Sequence, residues 1–267
     1  MKSLTACALG PLPYRDGLVL QEKLVAARAM RRPTGAARRD EAEDWLLFPD
    51  HPPVLTVGRS PSAGNLRVPR SRLDQLGIEV FEVARGGDIT WHGPGQLVAY
   101  TICDLEARGR DLHRFLRELE EALIRTLDSY GIRGERIAGR TGVWVAGAKV
   151  ASIGIAVRHW VSYHGIALNV RPDLSFFDLI HPCGLNGIQM TSLAALLGPA
   201  APDLTAVRVR TAAKMAETLG YGELRWAEPA EIRRIANSPG ADEPASRHAI
   251  ESSGPLTGSP TGGSAAA

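Results

Sequence analysis

The sequence predicts a single α/β domain, and three observations carry the prediction. Leu112, Phe115, Leu116, Leu119, Leu123, Ile124 and Leu127 recur at three-to-four spacing up to Gly131, which places them on one face of a helix. Short runs rich in β-branched and aromatic residues, bounded by glycine and proline, read as strands. The 44% hydrophobic content of the 267 residues supplies a substantial core.

In chain order, Asp16 to Met30 carries Leu18, Leu20, Leu24, Val25 and Ala29 and reads as an amphipathic helix, with Asp16 as its cap and Pro33-Thr34-Gly35 as its stop. Trp45 to Phe48 and Val54 to Val57 are strands split by Pro49, Pro52 and Pro53, followed by a polar loop from Gly58 to Pro69 and a third strand from Ile78 to Val83. Arg85 to Tyr100, RGGDITWHGPGQLVAY, sets four glycines and a proline around polar residues and reads as a loop entering the strand Val98 to Cys103. Glycines punctuate ordinary turns, but they also let backbone approach a ligand closely. Gly142 to Val145, Lys149 to Val157 and Tyr163 to Val170 form a strand-rich middle, broken at Gly147 and at Arg158 to Trp160, that suggests a hairpin or meander. Asp203 to Leu219 is a second long helix, capped by Asp203 and stopped at Gly220. After Glu228 the composition turns to Pro, Ala, Ser, Gly and Thr. The expected organisation is a folded domain over residues 1–228 and a low-complexity, disordered tail over 229–267.

A net charge of +2 is too mild to imply nucleic acid. The clusters Arg31-Arg32, Arg38-Arg39 and Arg67-Arg70-Arg72 are explained first by solvated loops and second by docking of an acidic partner. Three scattered cysteines offer neither a disulfide framework nor a paired zinc motif, and suit a reducing compartment. No apolar run approaches the roughly 18 residues of a spanning helix, so the expectation is a cytoplasmic protein without membrane association.

Cys183 lies in HPCGLN, a proline-and-glycine-framed loop, where a reactive thiol has the access it needs, whereas Cys103 on a strand reads as structural. Lys149 is the one charge in the small, apolar stretch GAKVASIGI. It either points to solvent from an edge strand or is buried; beside Cys183, its ammonium would favour the thiolate. His92, His164 and His181 permit a Cys-His pair or a zinc site with Cys183, but no ligand spacing supports either. Gly142 to Lys149 lacks the ending of a phosphate-binding loop.

RGGDITWHGPGQ at Arg85 to Gln96 resembles the signature of the octanoyl-carrier-protein:protein octanoyltransferases of lipoate assembly. GAKVASIGI at Gly147 to Ile155, YHGIALNV at Tyr163 to Val170 and PCG at Pro182 to Gly184 agree with that family in the same order. The resemblance, over roughly Leu18 to Gly198, implies an α+β type fold like the catalytic domains of lipoate and biotin protein ligases, with a mixed, largely antiparallel sheet flanked by helices. It implies Cys183 as the acyl-accepting nucleophile and Lys149 as the residue that lowers its pKa. It implies substrate contacts from Arg85, Gly86, Gly87, Asp88, Ile89, Thr90, Trp91 and His92, from Ser152, Ile153 and Gly154, and from Gly165, Ile166 and Ala167.

The implied chemistry exchanges the thioester of an octanoyl acyl carrier protein for one on Cys183. A lysine amine of a lipoyl domain, from a 2-oxoacid dehydrogenase or the glycine cleavage H protein, then takes the acyl group as an amide. Ile153 and Ile166 are placed to line a channel for the eight-carbon chain, and glycine-framed N–H groups near Cys183 or His92 are candidates for holding the oxyanion. No metal, nucleotide or redox cofactor is called for. The competing readings are an ATP-dependent ligase of lipoate or octanoate on the same fold, which needs no Cys183, and a non-catalytic module that binds carrier domains.

Overall fold

The computed structural model describes residues 2–31, 43–61, 64–181 and 188–238. In β2 (Glu43–Asp50), Trp45 and Leu47 enter one core while Leu46 and Phe48 enter another. In β6 (Gln96–Ile102), Leu97 and Ala99 likewise oppose Val98, Tyr100 and Ile102. Successive strand side chains point to opposite faces, so these strands belong to a sheet covered on both sides.

With elements numbered in chain order, that sheet runs β11 (Glu223–Trp226), β1 (Ser3–Pro11), β2, β6, β10 (Val161–Asn169), β9 (Ala148–Arg158), β8 (Arg140–Val145), β7 (Glu135–Ile137). β1 is parallel to both of its neighbours, and every other pairing is antiparallel. One face is covered by α3 (Leu112–Asp128) and α5 (Leu204–Thr218), through Phe115, Leu119, Leu123, Val207 and Met215. The short α4 (Leu193–Leu197) adds Leu193 to the same core. The expected Asp203 cap is present, its carboxylate accepting the Ala206 N–H at 2.7 Å, and Asp111 caps α3 through the Arg114 N–H.

The other face is covered by α1 (Tyr14–Met30) and α6 (Pro229–Ala236), through Leu24, Val25, Ile232 and Ile235. A buried ion group fastens α1 to the sheet side: Arg28 pairs with Asp44 at 2.7 Å and Asp104 at 3.3 Å. Two expectations are corrected here. Asp16 does not cap α1: the helix begins after Pro13 without a side-chain cap, and Asp16 sits in its first turn, where a carboxylate still interacts favourably with the positive end of the helix dipole. The residues after Glu228 do not begin a tail, because Pro229 to Ala236 is helical and docked. Two isoleucines and an alanine in a polar window raise its average hydrophobicity too little to reveal it, yet one face of a two-turn helix needs no more. Residues 239–267 lie outside the described residues. Ile232→Ala is expected to lower the unfolding free energy by about 2–4 kcal/mol. An unchanged denaturation midpoint would mean that α6 contributes nothing to the fold.

A second sheet orders β4 (Glu79–Glu82), β3 (Val54–Val57) and β5 (Ile89–His92), with β3 parallel to β4 and antiparallel to β5. The helix α2 (Arg70–Gln75) precedes β4 and packs Leu73 with Leu55, Ile89 and Trp91. The glycine-rich stretch is therefore not one loop: it contains β5, and only a short turn separates β5 from β6.

Candidate active site

The two sheets enclose a cavity of about 460 Å³, within the size range of small-molecule sites. Arg85, Gly86, Gly87, Asp88, Ile89, Thr90 and His92 reach it from the small sheet, Lys149, Ser152, Ile153 and Gly154 from β9, and Gly165, Ile166 and Ala167 from β10. Those fourteen expected residues are brought together. Trp91 is not: it stacks on Phe176 at 5.1 Å and meets the edge of Phe177, in the core beneath the small sheet. The alternation that sends Thr90 and His92 to the cavity sends Trp91 away from it. Cys183 and its neighbours, residues 182–187, lie outside the described residues, as does the segment 32–42, which holds all of the Arg31 to Arg39 stretch except Arg31.

Backbone pairing holds the glycine loop. The N–H groups of Gly58, Arg59 and Ser60 donate to the carbonyls of Asp88, Arg85 and Gly87 at 3.0–3.2 Å, and the Gly86 N–H donates to Ile155 O at 2.9 Å. The Arg85 guanidinium is pinned to β3, donating to Thr56 Oγ1 from Nε and from a terminal nitrogen, and to the Thr56 carbonyl. Gly154 makes this docking possible, since a Cβ there would lie 3.0 Å from Arg85 Cδ and 3.1 Å from Gly86 O.

Lys149 is 3% exposed; of the two readings of its sequence, burial is the one realised. Its Nζ stands 5.5 Å from the centre of the Trp144 ring, where a desolvated ammonium is attracted to the aromatic face. The side chain passes over Gly142, whose φ is +128° and where a Cβ would come within 2.7 Å of Lys149 Cε. The Gly142 N–H donates to Glu120 Oε1 at 3.1 Å. That carboxylate is fully buried and pairs with Arg117 and Arg136 at 2.6 and 3.1 Å. On the main chain, the Lys149 N–H donates to Gln189 O at 2.8 Å and its carbonyl accepts the Thr191 N–H at 2.9 Å.

The two described thiols are poor nucleophiles. Cys7 and Cys103 are buried, and burial pushes them up to about 11 and about 12, so neither presents a thiolate at neutral pH. Burial lowers His92 and His164 to about 3, with Arg85 contributing to both, and lowers His51 to about 4. These three rings are neutral when folded and protonate near pH 6.5 when unfolded. Below about pH 6.5 the unfolded chain therefore binds the extra protons, and stability falls as pH drops toward the folded values. The urea midpoint is expected to decrease from pH 7 to pH 5, and to decrease less in a His164→Phe protein. Identical slopes would mean that His164 is not held neutral.

Sequence reasoning missed Tyr14, Tyr100, Trp144, Leu112 and Leu116, which also line the cavity. They come from helices and strands whose residue types look like ordinary core. His164 lines it too, although its sequence context suggests no more than a weakly supported metal or Cys-His partner. Its φ of +57° is uncommon for a residue with a side chain. Among the described residues no cluster of three or more His, Cys, Asp or Glu forms a metal site, and no helix is long and apolar enough to cross a membrane.

A mixed sheet between helices, with a buried lysine beside an apolar cavity, defines the catalytic-domain class of the lipoyl protein ligases, and residues 13–216 match the lipoyl protein ligase A/B catalytic domain. The fold agrees with the crystal structure of a lipoate-protein ligase A bound with ATP, at a TM-score of 0.66 and 16% identity over 88% of this chain and 93% of that one. An octanoyltransferase of Geobacter sulfurreducens is 47% identical over 192 residues, 72% of this chain and 75% of the relative. One of Rubrobacter xylanophilus is 46% identical over 213 residues, 79% of this chain and 91% of the relative. The chain belongs to the octanoyltransferase family: it is an acyltransferase of lipoate biosynthesis, and the group it moves is octanoyl.

Proposed function

We propose that octanoyl transfer proceeds through a thioester on Cys183, with an octanoyl acyl carrier protein as donor and the lysine of a lipoyl domain as acceptor. The donor's carbonyl carbon bonds to the Cys183 sulfur as its bond to the carrier thiol breaks. The acceptor amine then bonds to the same carbon, and the Cys183 sulfur leaves with the electron pair. The Lys149 ammonium favours the thiolate before the first step and after the second. Arg85 to Asp88, Thr90 and His92 face the acyl group across the cavity from Ser152 to Gly154 and Gly165 to Ala167. Apolar contacts such as Ile153 and Ile166 are each worth about 0.8 kcal/mol per buried methylene.

The observation that supports this reading most directly is the anchoring of the chain on both sides of Cys183. His181 donates its N–H to Asn65 O at 2.8 Å, and on the far side of Cys183 in sequence Gln189 and Thr191 bracket the backbone of Lys149 itself. Cys183 follows His181 by two positions and precedes Gln189 by six, and this closeness in sequence to two anchored residues supports assigning it to the same site as Lys149. Incubation with octanoyl acyl carrier protein is expected to add one octanoyl group to the intact protein, mapped to Cys183 by peptide mass spectrometry. Transfer from free octanoate that requires ATP and leaves no adduct would favour the ligase reading. Carrier-domain binding without any transfer would favour the non-catalytic one.

A further inference from the structure

A chain of side-chain hydrogen bonds runs from His92 to Thr191, whose backbone is bonded to the strand that carries Lys149, and its direction follows from the donors and acceptors. Asn169 Nδ2 lies 3.0 Å from the Thr191 carbonyl, and Gln96 Nε2 lies 3.3 Å from the Trp91 carbonyl and 2.9 Å from Asn169 Oδ1. Backbone carbonyls only accept, so both amide nitrogens are placed where the bonding requires donors. Gln96 Oε1 is then left facing His92 Nδ1 at 2.8 Å. A carboxamide oxygen cannot donate, so the hydrogen is on Nδ1 and the lone pair on Nε2. Burial and Arg85 keep the ring neutral, at about 3. His92, Gln96 and Asn169 are 9%, 4% and 1% exposed, and His92 shares the cavity with Lys149. The relay ends on Thr191, whose own N–H binds the Lys149 carbonyl, so one bonded unit sets the ring and the lysine strand in register.

We propose that His92 Nε2 accepts a hydrogen bond from the N–H of the attacking lysine amine, and that Gln96 and Asn169 are positioning residues that hold the ring in the tautomer able to do so. The assignment rests on the two-step transfer through Cys183. Of the groups meeting at the reacting carbon in the second step, the amine alone brings N–H donors; the acyl carbonyl accepts, and the chain does neither. His92 takes no net proton. The nitrogen lone pair forms the C–N bond, the C–S bond breaks with its pair going to sulfur, and the proton shed by nitrogen passes to solvent, so Cys183 returns as the thiolate. A neutral acceptor fits a nucleophile that must itself be neutral, because it orients the lone pair toward carbon without competing for the proton.

The first measurement is the nitrogen NMR of the His92 ring in the wild-type protein. An Nδ1-protonated ring is expected, and an Nε2-protonated ring overturns the proposal whatever the transfer chemistry. The second uses His92→Asn, whose amide can still donate to Gln96 but offers no acceptor at the Nε2 position. With acyl-enzyme formed beforehand, octanoyl release to a lipoyl domain is expected to slow roughly tenfold or more, and by more than acyl uptake slows. Equal slowing of both steps overturns the proposal. The third is Gln96→Glu, which keeps an acceptor at Nδ1 but places a carboxylate there, favouring an imidazolium whose Nε2 donates. Arg85 opposes that charge, His51 and His164 flank the ring as neutral imidazoles, and Tyr14 stacks on it. Aminolysis by this variant is expected to fail at low pH and recover as the imidazolium loses its proton. A wild-type pH profile overturns the proposal. Absence of any acyl-Cys183 in the wild type would instead remove the two-step reading and leave the tautomer measurement standing.

Discussion

Cys183→Ala is expected to abolish both the octanoyl adduct and transfer to lipoyl domains, a loss on the order of a thousandfold or more, as for removal of other covalent nucleophiles. No other thiol takes over, because Cys7 and Cys103 are buried at 0% and 1% exposure and their pKa values are raised by that burial. The fold should survive. The contacts that fix the chain at His181, Gln189 and Thr191 are backbone hydrogen bonds to Asn65 and Lys149, and none involves the thiol. Circular dichroism and the thermal midpoint should therefore match the wild type while mass spectrometry finds no added acyl group. Transfer at the wild-type rate by this variant would rule out a covalent intermediate, and the lipoyl-domain amine would then attack the carrier thioester directly.

The architecture could be read from the sequence wherever a periodic apolar pattern was long. Helix α3 has seven apolar residues at helical spacing, and the central strands carry alternating large residues, so both register as secondary structure before any contact is known. What escaped were elements stabilised by tertiary packing alone. Strand β1 is SLTACALGP, rich in small residues with little strand preference, and it gains its conformation from parallel partners on both sides. Helix α6 has three buried residues in eight. Strand β5 hides in the glycine-rich stretch because four residues between glycines look like part of a turn.

The cavity was legible for a different reason. Its glycines and lone charges make poor sense as packing, so their residue types mark them even in isolation. Lys149 stands out because ammonium burial is costly, whereas Ser152 to Gly154 and Gly165 to Ala167 were marked only by the resemblance to the family. Trp91 shows the limit of that reading. It lies between two cavity-facing residues in sequence, and only the two-residue strand period, invisible once the stretch is taken as a loop, separates it from them. Tyr14, Tyr100 and Trp144 carried no signal at all, since a buried aromatic on a periodic element looks the same whether it faces a core or a cavity.

Lys149→Met is expected to slow acyl uptake at pH 7 by roughly tenfold or more and to shift the pH–rate profile upward. Methionine keeps an unbranched stem over Gly142 and against Trp144 but removes the positive charge. An ordinary thiol near 8.5 is only a few per cent thiolate at neutral pH, and a neighbouring ammonium typically lowers such a value by about 1–3 units. The sign follows from the thiolate being the reactive form: without the cation, Cys183 ionises later, so the rising limb moves to higher pH and much of the lost rate returns near pH 9. The pH profile reads the charge, whereas the denaturation midpoint reads the packing of the stem, which an unbranched side chain of similar volume largely keeps. The combination separates the electrostatic role from a structural one. A lysine that merely held β9 against the 188–191 segment would, when replaced, lower the denaturation midpoint and leave the pH profile in place, but that contact is made by the Lys149 backbone, which methionine retains.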